Sequence, residues 1–354
     1  MGEELLELLV AATRWEGERI VSFELRDPAG AELPAWEPGA HVEVHLPGGL
    51  TRQWSLCSDP ADRSRWRIAV LRLDDGRGGS RAAHERLTAG VRVPVSPPRN
   101  RFPLAAAHDG PVLLLAGGIG ITPLLPMARA LAARGEAWRL VYGARTRTAL
   151  AFAGELDALA AASPGGHGAS LAAVGAPPLA AVTRGDGAPP VTLVPEDEAG
   201  RLDLDALVAE AEATGATVYA CGPAAMLDAL AERAAAAGWP ADRLRTERFA
   251  ADEQAAATAA AARASGDGFE VRLARAGLTV RVDAGVSILD AVRAVGVDVP
   301  SSCEQGVCGT CETRVLGGVP EHHDQLLTDA ERAAGDCMMI CVGRCAQGPL
   351  VLDL

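Results

Sequence analysis

Lysine is absent from the sequence, and all 33 of its basic residues are arginine. We attribute this absence to codon usage in a GC-rich, alanine-rich genome rather than to function. Basic residues are also outnumbered, because 46 aspartates and glutamates give the chain a net charge of −13. This charge argues against a nucleic-acid partner, since proteins that bind nucleic acid need basic surfaces. A run of ~20 apolar residues, which a membrane span needs, is missing as well.

Targeting signals are missing from the N-terminal stretch MGEELLELLVAATRW. It lacks a basic start and three glutamates interrupt it, so it is a poor signal peptide. Leucine at position 6 removes the myristoylation pattern. We therefore expect a cytoplasmic protein without a membrane partner, and a monomer. Convincing Ser-His-Asp and paired-carboxylate patterns are also missing, so we expect no catalytic acid–base residues.

The length of 354 residues predicts two or three domains. The first hundred residues contain five short, partly alternating runs: RIVSFELRD, HVEVHLP, RQWSLCS, WRIAVLRL and VRVPVSPP. Turn-forming residues separate them at the spacing of a small antiparallel barrel. We assign residues 1–105 to this domain.

From residue 106 the pattern changes to alternating strands and helices. PVLLLAG is a continuous apolar run, typical of a parallel strand buried on both faces. It is followed by the helix TPLLPMARALAARG, strand RLVYGA, helix ALAFAGELDALAAA, strand SLAAV, helix LDALVAEAEA, strand TVYACG and helix PAAMLDALAERAAAAG. The alternation predicts a doubly wound α/β domain over residues 106–249. A loose surface insertion is expected around residues 163–190.

Two further segments complete the chain. Residues 250–267 are of low complexity, carry no amphipathic stripe and end in Ser-Gly-Asp-Gly, so we predict an interdomain linker. Residues 268–354 open with two alternating strands, FEVRLARAGLTVRVD, and continue with the helix SILDAVRAVG. A cysteine-rich loop and further strands follow. We predict a compact β-rich module here.

Six of the eight cysteines lie between residues 303 and 345, and Cys303, Cys308 and Cys311 are spaced C-x4-C-x2-C. Structural zinc favours paired C-x2-C sequences or added histidines, but His322 and His323 fall in a turn that we expect to be exposed. A redox-active dithiol would need only Cys308 and Cys311 and would give Cys303 no role. The spacing instead matches a plant-type 2Fe–2S cluster.

The loop composition supports this cluster, because four thiolates must converge on two irons. Gly306 and Gly309 permit the tight backbone that such convergence needs. The spacing leaves the fourth ligand open among three downstream residues: Cys337, Cys341 and Cys345.

A dinucleotide site is indicated at the ends of two predicted parallel strands. LLLAGGIGITPLLPM places Gly117, Gly118 and Gly120 after one strand, with Thr122 and Pro123 opening a helix. Glycines there let a pyrophosphate approach the backbone and the helix N-terminus. This is not the Rossmann G-x-G-x-x-G, because the third position is proline. VYACGPAAM places four further candidates at the same sheet edge: Cys221, Gly222, Pro223 and Met226.

These motifs together carry a resemblance to a known family. SSCEQGVCGTCETRVLGG, EHHDQLLTDAER and MICVGR resemble the ferredoxin module of the phthalate dioxygenase reductase family, which includes vanillate O-demethylase reductases. GGIGITP with CGPxxM is similar to the NAD(P)-binding half of ferredoxin-reductase-like proteins. The resemblance implies an antiparallel β-barrel flavin domain, a doubly wound α/β nucleotide-binding domain and a β-grasp plant-type ferredoxin domain. It also implies that Cys341 is the fourth cluster ligand.

The resemblance places a flavin in the barrel. RQWSLC is similar to the family's R-x-Y-S motif, so Arg52 would support the flavin phosphate, Trp54 would flank the flavin and Ser55 would bond its ring. Tryptophan replaces the family's tyrosine, which exchanges a phenol hydroxyl for an indole N–H. A glycine-rich helix start offers a nest for a terminal phosphate, and without a further loop for adenosine FMN is favoured over FAD. The remaining implied flavin contacts are Val70, Leu71, Gly78, Gly79, Ser80, Thr122 and Phe249.

The implied activity is that of an NAD(P)H-dependent oxidoreductase. It would take hydride from NADH onto FMN and pass single electrons through the 2Fe–2S cluster to a Rieske-type oxygenase, with a cytochrome P450 as the alternative acceptor. Arg145 and Arg147 follow a strand end and could bind the 2′-phosphate of NADPH, although the resemblance favours NADH. An alternative interpretation is that the C-terminal module is a structural zinc domain, or a binding module without a functional cluster, attached to a plain flavin reductase.

Overall fold

The computed structural model describes residues 4–46, 50–74, 78–162, 170–171, 190–240, 242–250, 253–265 and 267–354. Two compact units divide the chain, residues 1–247 and residues 248–354. In the described part of the chain, no helix combines the length and the apolar character that a membrane crossing requires.

The first sheet is the predicted antiparallel barrel. Its strands are β1 (Leu6–Gly17), β2 (Ile20–Arg26), β3 (Ala40–Leu46), β4 (Leu50–Ser55), β5 (Trp66–Leu71), β6 (Arg92–Val95) and β7 (Arg99–Asn100), and helix α1 spans Gly79–Arg86. The order is β4-β3-β6-β1-β2-β5, with β7 beside β3. A bridge between Leu56 and Ile68 links the two outer strands and closes the sheet.

Strand β1 was not predicted, although it lies between β6 and β2 in the middle of the sheet. Leu8 and Val10 are buried, whereas Glu7 before them is exposed and Leu9 between them is half-buried. Buried and less buried residues therefore alternate at the start of β1, as on a strand with one face towards the core, and Glu7 lies on the outer face.

The second sheet confirms the doubly wound α/β prediction. Its six parallel strands are β8 (Val112–Gly117), β9 (Trp138–Ala144), β10 (Ser170–Leu171), β11 (Val191–Pro195), β12 (Thr217–Cys221) and β13 (Leu244–Glu247), in the order β10-β11-β9-β8-β12-β13. The helices are α2 (Ile121–Arg134), α3 (Ala153–Ala162), α4 (Glu196–Ala199), α5 (Leu204–Thr214) and α6 (Ala224–Ala236). Separate apolar cores fill the two faces of the sheet, and all of β8 is buried.

Strands β11 and β13 are additions to the prediction. Most of the insertion expected around residues 163–190 lies outside the described residues, and of the predicted strand SLAAV only Ser170–Leu171 is described.

The second unit has the predicted β-grasp organisation. Its elements are helix α7 (Glu253–Ser265), β14 (Phe269–Leu273), β15 (Leu278–Val282), α8 (Ile288–Ala294), β16 (Glu312–Glu321), α9 (Asp329–Ala334), β17 (Cys337–Met339) and β18 (Arg344–Leu352). The sheet order is β15-β14-β18-β16-β17, with β14 and β18 parallel. The buried face of α8 joins the core of this sheet.

Helix α7 occupies most of the segment predicted as a linker. Eight of its thirteen residues are alanine, the residue with the highest helix propensity, so a helix forms there without an amphipathic stripe. The predicted domain boundaries at residues 105, 249 and 267 stay predictions.

Candidate functional site

Arg52 in strand β4 lies across the N-terminus of helix α1. A methyl group on Gly79 would lie 2.2 Å from its Nε and 2.6 Å from its Cγ, so glycine leaves the room that this side chain occupies. Gly78 precedes the helix with a φ of 77°. A guanidinium and a helix N-terminus thus bring two positive charges together, and an anion completes such an arrangement. The cradle fits the phosphate of FMN.

Ser55 and Glu247 meet where the barrel contacts the α/β sheet. The buried Ser55 hydroxyl donates a hydrogen bond to Glu247 Oε2 at 3.5 Å, and Trp54 packs against the barrel core beside it. Glu247 ends strand β13 and is the register partner of Cys221. Burial raises the pKa of the Glu247 carboxyl to about 8, and the hydrogen bond from Ser55 lowers it by less. This carboxyl can therefore hold a proton near neutral pH beside the predicted flavin contact.

Glu247 was missed from the sequence. A signal was available, because Glu247 belongs to the same TERF segment as Phe249 and precedes it by two residues. Strand β13 was not predicted, so nothing in the sequence placed this carboxylate at the sheet edge.

The other predicted flavin contacts differ in their surroundings. Val70 is buried and its carbonyl oxygen lies 2.8 Å from Nε2 of His84. Ser80 Oγ accepts a hydrogen bond from a backbone N–H at 3.0 Å, and the buried Thr122 hydroxyl donates to a carbonyl in the preceding turn. Phe249 lies in the second unit and is 42% exposed. The contacts of these residues and of Leu71 with FMN stay predictions.

The two glycine-containing loops after β8 and β12 pack directly on each other. A Cβ on Gly120 would lie 2.1 Å from the carbonyl oxygen of Cys221, and one on Gly117 would lie 2.6 Å from Cδ of Pro223. A Cβ on Gly222 would lie 3.0 Å from Gly117 Cα. These three glycines are therefore required by the close approach of the loops, and the approach of a pyrophosphate to Gly117 and Gly120 stays a prediction.

Gly118 is the glycine of this loop that faces open space. Its φ is 53° and no heavy atom lies within 4 Å of its built Cβ. It stands just before helix α2, whose first turn contains the buried Pro123, and a Cβ on the neighbouring Gly117 would lie 3.0 Å from Sδ of Met226. The chain leaves β8 for β9 on one side and returns to β12 on the other, so the loops lie at the topological switch point where open α/β sheets bind ligands. The place fits the pyrophosphate of NADH.

The four predicted ligand cysteines form two pairs. The Cys303 thiol is hydrogen-bonded to that of Cys308, and the Cys311 thiol to that of Cys341. Two irons that each take two thiolates match this grouping. Among the described residues, no three His, Cys, Asp or Glu side chains converge as a single metal ion would require. The Cys345 thiol instead donates to the Gly348 carbonyl.

Backbone groups around the cysteine loop favour thiolates. The N–H of Gln305 donates to Sγ of Cys303 at 3.3 Å, and the N–H of Cys303 donates to Sγ of Cys308 at 3.4 Å. The hydrogen bond from the Cys303 thiol lowers the pKa of Cys308 to about 6. Gly306 and Gly309 have φ of 73° and 78°, as the tight loop requires.

The expectation of an exposed histidine turn was wrong. The side chains of His322 and His323 are only 9% and 13% exposed. The buried Asp324 accepts hydrogen bonds from two backbone N–H groups, and Gln325 N donates to the Gly306 carbonyl. These bonds hold the segment against the cysteine loop.

Comparisons with known proteins identify the domain types on which these sites lie. A family model described as a 2Fe-2S iron-sulfur cluster binding domain matches residues 271–346, and an oxidoreductase NAD-binding domain model matches residues 114–232. Vanillate O-demethylase oxidoreductase of Pseudomonas sp. (strain HR199 / DSM 7063) is 40% identical over 99% of this chain and 100% of its own. The structure of phthalate dioxygenase reductase superposes with a TM-score of 0.66 at 35% identity, over 99% of this chain and 98% of that one. The chain belongs to the phthalate dioxygenase reductase family.

Membership in the phthalate dioxygenase reductase family confirms the predicted fold class, activity and cofactors. The protein is an oxygenase reductase component that relays electrons from NADH through FMN and a 2Fe–2S cluster. A second structure, a type IV self-sufficient cytochrome P450 monooxygenase, has a TM-score of 0.78 at 37% identity. The match covers 99% of this chain and 41% of the P450 chain. Both dioxygenase and P450 systems therefore contain similar reductases.

Proposed function

We propose that this reductase delivers electrons one at a time to a separate Rieske-type oxygenase that hydroxylates or O-demethylates its substrate. The observation that carries this proposal is the end-to-end match to vanillate O-demethylase oxidoreductase and phthalate dioxygenase reductase. The second candidate acceptor is a cytochrome P450, favoured by the match to the self-sufficient P450 monooxygenase.

In the proposed mechanism the first unit positions two ligands. Arg52 and the N-terminus of α1 would hold the FMN phosphate, and Trp54 and Ser55 would contact its ring. The Gly118 turn and the loop after β12 would hold NADH, with its nicotinamide towards the Ser55–Glu247 pair. When bound, FMN accepts electrons in pairs and releases them singly. The Glu247 carboxyl, with its raised pKa, holds a proton at the Ser55 hydroxyl.

The second unit receives the electrons and presents them to the acceptor. Cys303, Cys308, Cys311 and Cys341 hold the cluster, and the N–H bonds to two of their sulfurs stabilise negative charge there. Residues 267–354 carry 13 acidic and 7 basic side chains, so we propose a basic docking surface on the acceptor.

Two experiments test the proposed function. An anaerobic titration with NADH should bleach flavin and iron–sulfur absorbance together, with about three electrons taken up per protein. The reduced protein is then mixed with a Rieske oxygenase or a P450 at low and high ionic strength. Rapid, salt-sensitive reduction of the Rieske protein supports the proposal. Reduction of the P450 alone would replace it with the second candidate, and bleaching of flavin alone would refute the relay.

A further inference from the structure

Two charged segments meet at the carboxyl edge of the α/β sheet, beside the proposed coenzyme site. Strands β9 and β11 are parallel neighbours, and Ala144 pairs with Pro195 at their ends. The segments that follow therefore emerge side by side. The N–H of Asp197 donates to the carbonyl of Arg145 at 3.1 Å, which ties them together.

The adenosine half of the coenzyme is expected at this place. Its nicotinamide must reach the flavin, and the predicted flavin contact Ser55 bonds Glu247 beside the end of β12. With the pyrophosphate at Gly118 after β8, the adenosine lies on the opposite side of β8. The next strands on that side are β9 and β11, about 5 Å and about 10 Å away. The adenosine ribose, where NADH and NADPH differ, therefore comes to the loops after these two strands.

An ion pair occupies the arginine best suited to a 2′-phosphate. Arg147 donates to Glu198 through Nε at 2.9 Å and through Nη2 at 2.5 Å. Nε and Nη2 of Arg147 are thus both engaged by the carboxylate, although paired N–H donors of this kind are what an arginine uses to bind a phosphate. Arg201 is similarly committed to Glu196 at 2.8 Å. A 2′-phosphate would have to displace a carboxylate in order to bind.

The remaining groups favour a hydroxyl over a phosphate. Residues 196–198 are all acidic and exposed, and within the described residues the Asp197 carboxylate has no hydrogen-bond partner. A carboxylate accepts a hydrogen bond from a ribose 2′-hydroxyl but repels a phosphate dianion. Among the described residues at these strand ends, Arg145 is exposed and its guanidinium could still attract a phosphate.

We propose that the Glu198–Arg147 ion pair, with the acidic residues around it, makes this reductase discriminate against NADPH. Glu198 acts by occupying Arg147, and the neighbouring carboxylates accept the 2′-hydroxyl of NADH. The inference rests on the proposed coenzyme site and adds the residues that determine its specificity.

The test compares variants of the intact reductase in two measurements. The first is the ratio of kcat/KM for NADPH to that for NADH. The second is the affinity for adenosine 2′,5′-bisphosphate relative to 5′-AMP, measured by calorimetry without turnover. Wild type should prefer NADH and 5′-AMP. Glu198→Gln frees Arg147, and both ratios should rise about tenfold or more, as a charge-assisted hydrogen bond permits.

Two further variants complete the design. Adding Arg147→Gln to Glu198→Gln should return both ratios to wild-type values. Asp353→Asn is the matched control, because it breaks a similar two-bond pair with Arg275 in the other unit and should change neither ratio. The inference would be overturned if both ratios stayed unchanged in Glu198→Gln, or if wild type preferred NADPH. It would also be overturned if the gain persisted after Arg147→Gln was added, because the gain would then come from Arg145. Failure of both coenzymes to reduce the flavin would instead refute the proposed function.

Discussion

Replacing Gly120 with alanine should force apart the two loops of the coenzyme site. The new Cβ would lie 2.1 Å from the carbonyl oxygen of Cys221, whereas real Cβ atoms essentially never approach within 3.0 Å. Both sides of this contact are backbone, so no side chain can rotate away. The loops must therefore separate by about 1 Å, and a displacement of this size can slow a reaction about 100-fold. The overpacking should also lower the free energy of unfolding by about 1–3 kcal/mol.

The assay is anaerobic stopped-flow measurement of flavin reduction by NADH, together with urea unfolding. Gly135→Ala is the control. Gly135 follows the last residue of helix α2, at the opposite end from Gly120, with a φ of 67°, and a Cβ built on it would meet open space. It should lower the free energy of unfolding by about 1 kcal/mol through backbone strain alone and leave flavin reduction fast. If Gly120→Ala reduces its flavin as fast as Gly135→Ala while both retain FMN and the cluster, the close approach of the loops is unnecessary and the reasoning fails.

Three further predictions concern the flavin, the cluster and pH. Arg52→Gln removes the charge above the α1 N-terminus and should weaken FMN binding about tenfold; the FMN content after gel filtration measures this, and full retention would contradict it. Cys341→Ser should abolish the iron–sulfur absorbance while Cys345→Ser keeps it, and the opposite result would move the fourth ligand. Because burial raises the pKa of Glu247 from 4.5 to about 8, the folded protein keeps a proton that the unfolded chain loses, so stability should fall as pH rises between these values. Glu247→Gln has no such proton and should reduce that fall. If the free energy of urea unfolding falls equally in both proteins between pH 5, 7 and 9, Glu247 does not contribute.

The elements that could be predicted from the sequence are those marked by a pattern within a few neighbouring residues. Strand β8 is a continuous apolar run followed by glycines and a helix, and the cysteine spacing lies within nine residues. Strand β11 has no such signal, because its five buried residues follow a proline pair and end in proline. Its partner β9 is some fifty residues away, so no hairpin turn marks it.

The missed parts of the site depend on pairing between distant segments. Strand β13 is an edge strand with Arg245 and Thr246 in its middle, so it lacks the apolar run of a buried strand. Glu247 therefore had no predicted position, and its hydrogen bond from Ser55 joins residues 192 positions apart. The ion pair of Arg147 with Glu198 likewise joins two strand ends that only the sheet order brings together.

The central position of β1 has a consequence for the order of events during synthesis. The ribosome makes β1 before either of its neighbours in the sheet, and β2 can pair with it at once as a hairpin. Its other edge waits for β6, since Leu6 pairs with Val95. At about 5–20 residues per second, this wait lasts about 4–18 seconds. For that time a long strand edge in the middle of the future barrel is open to other chains, so a chaperone that covers this edge should raise the yield of the folded flavoprotein.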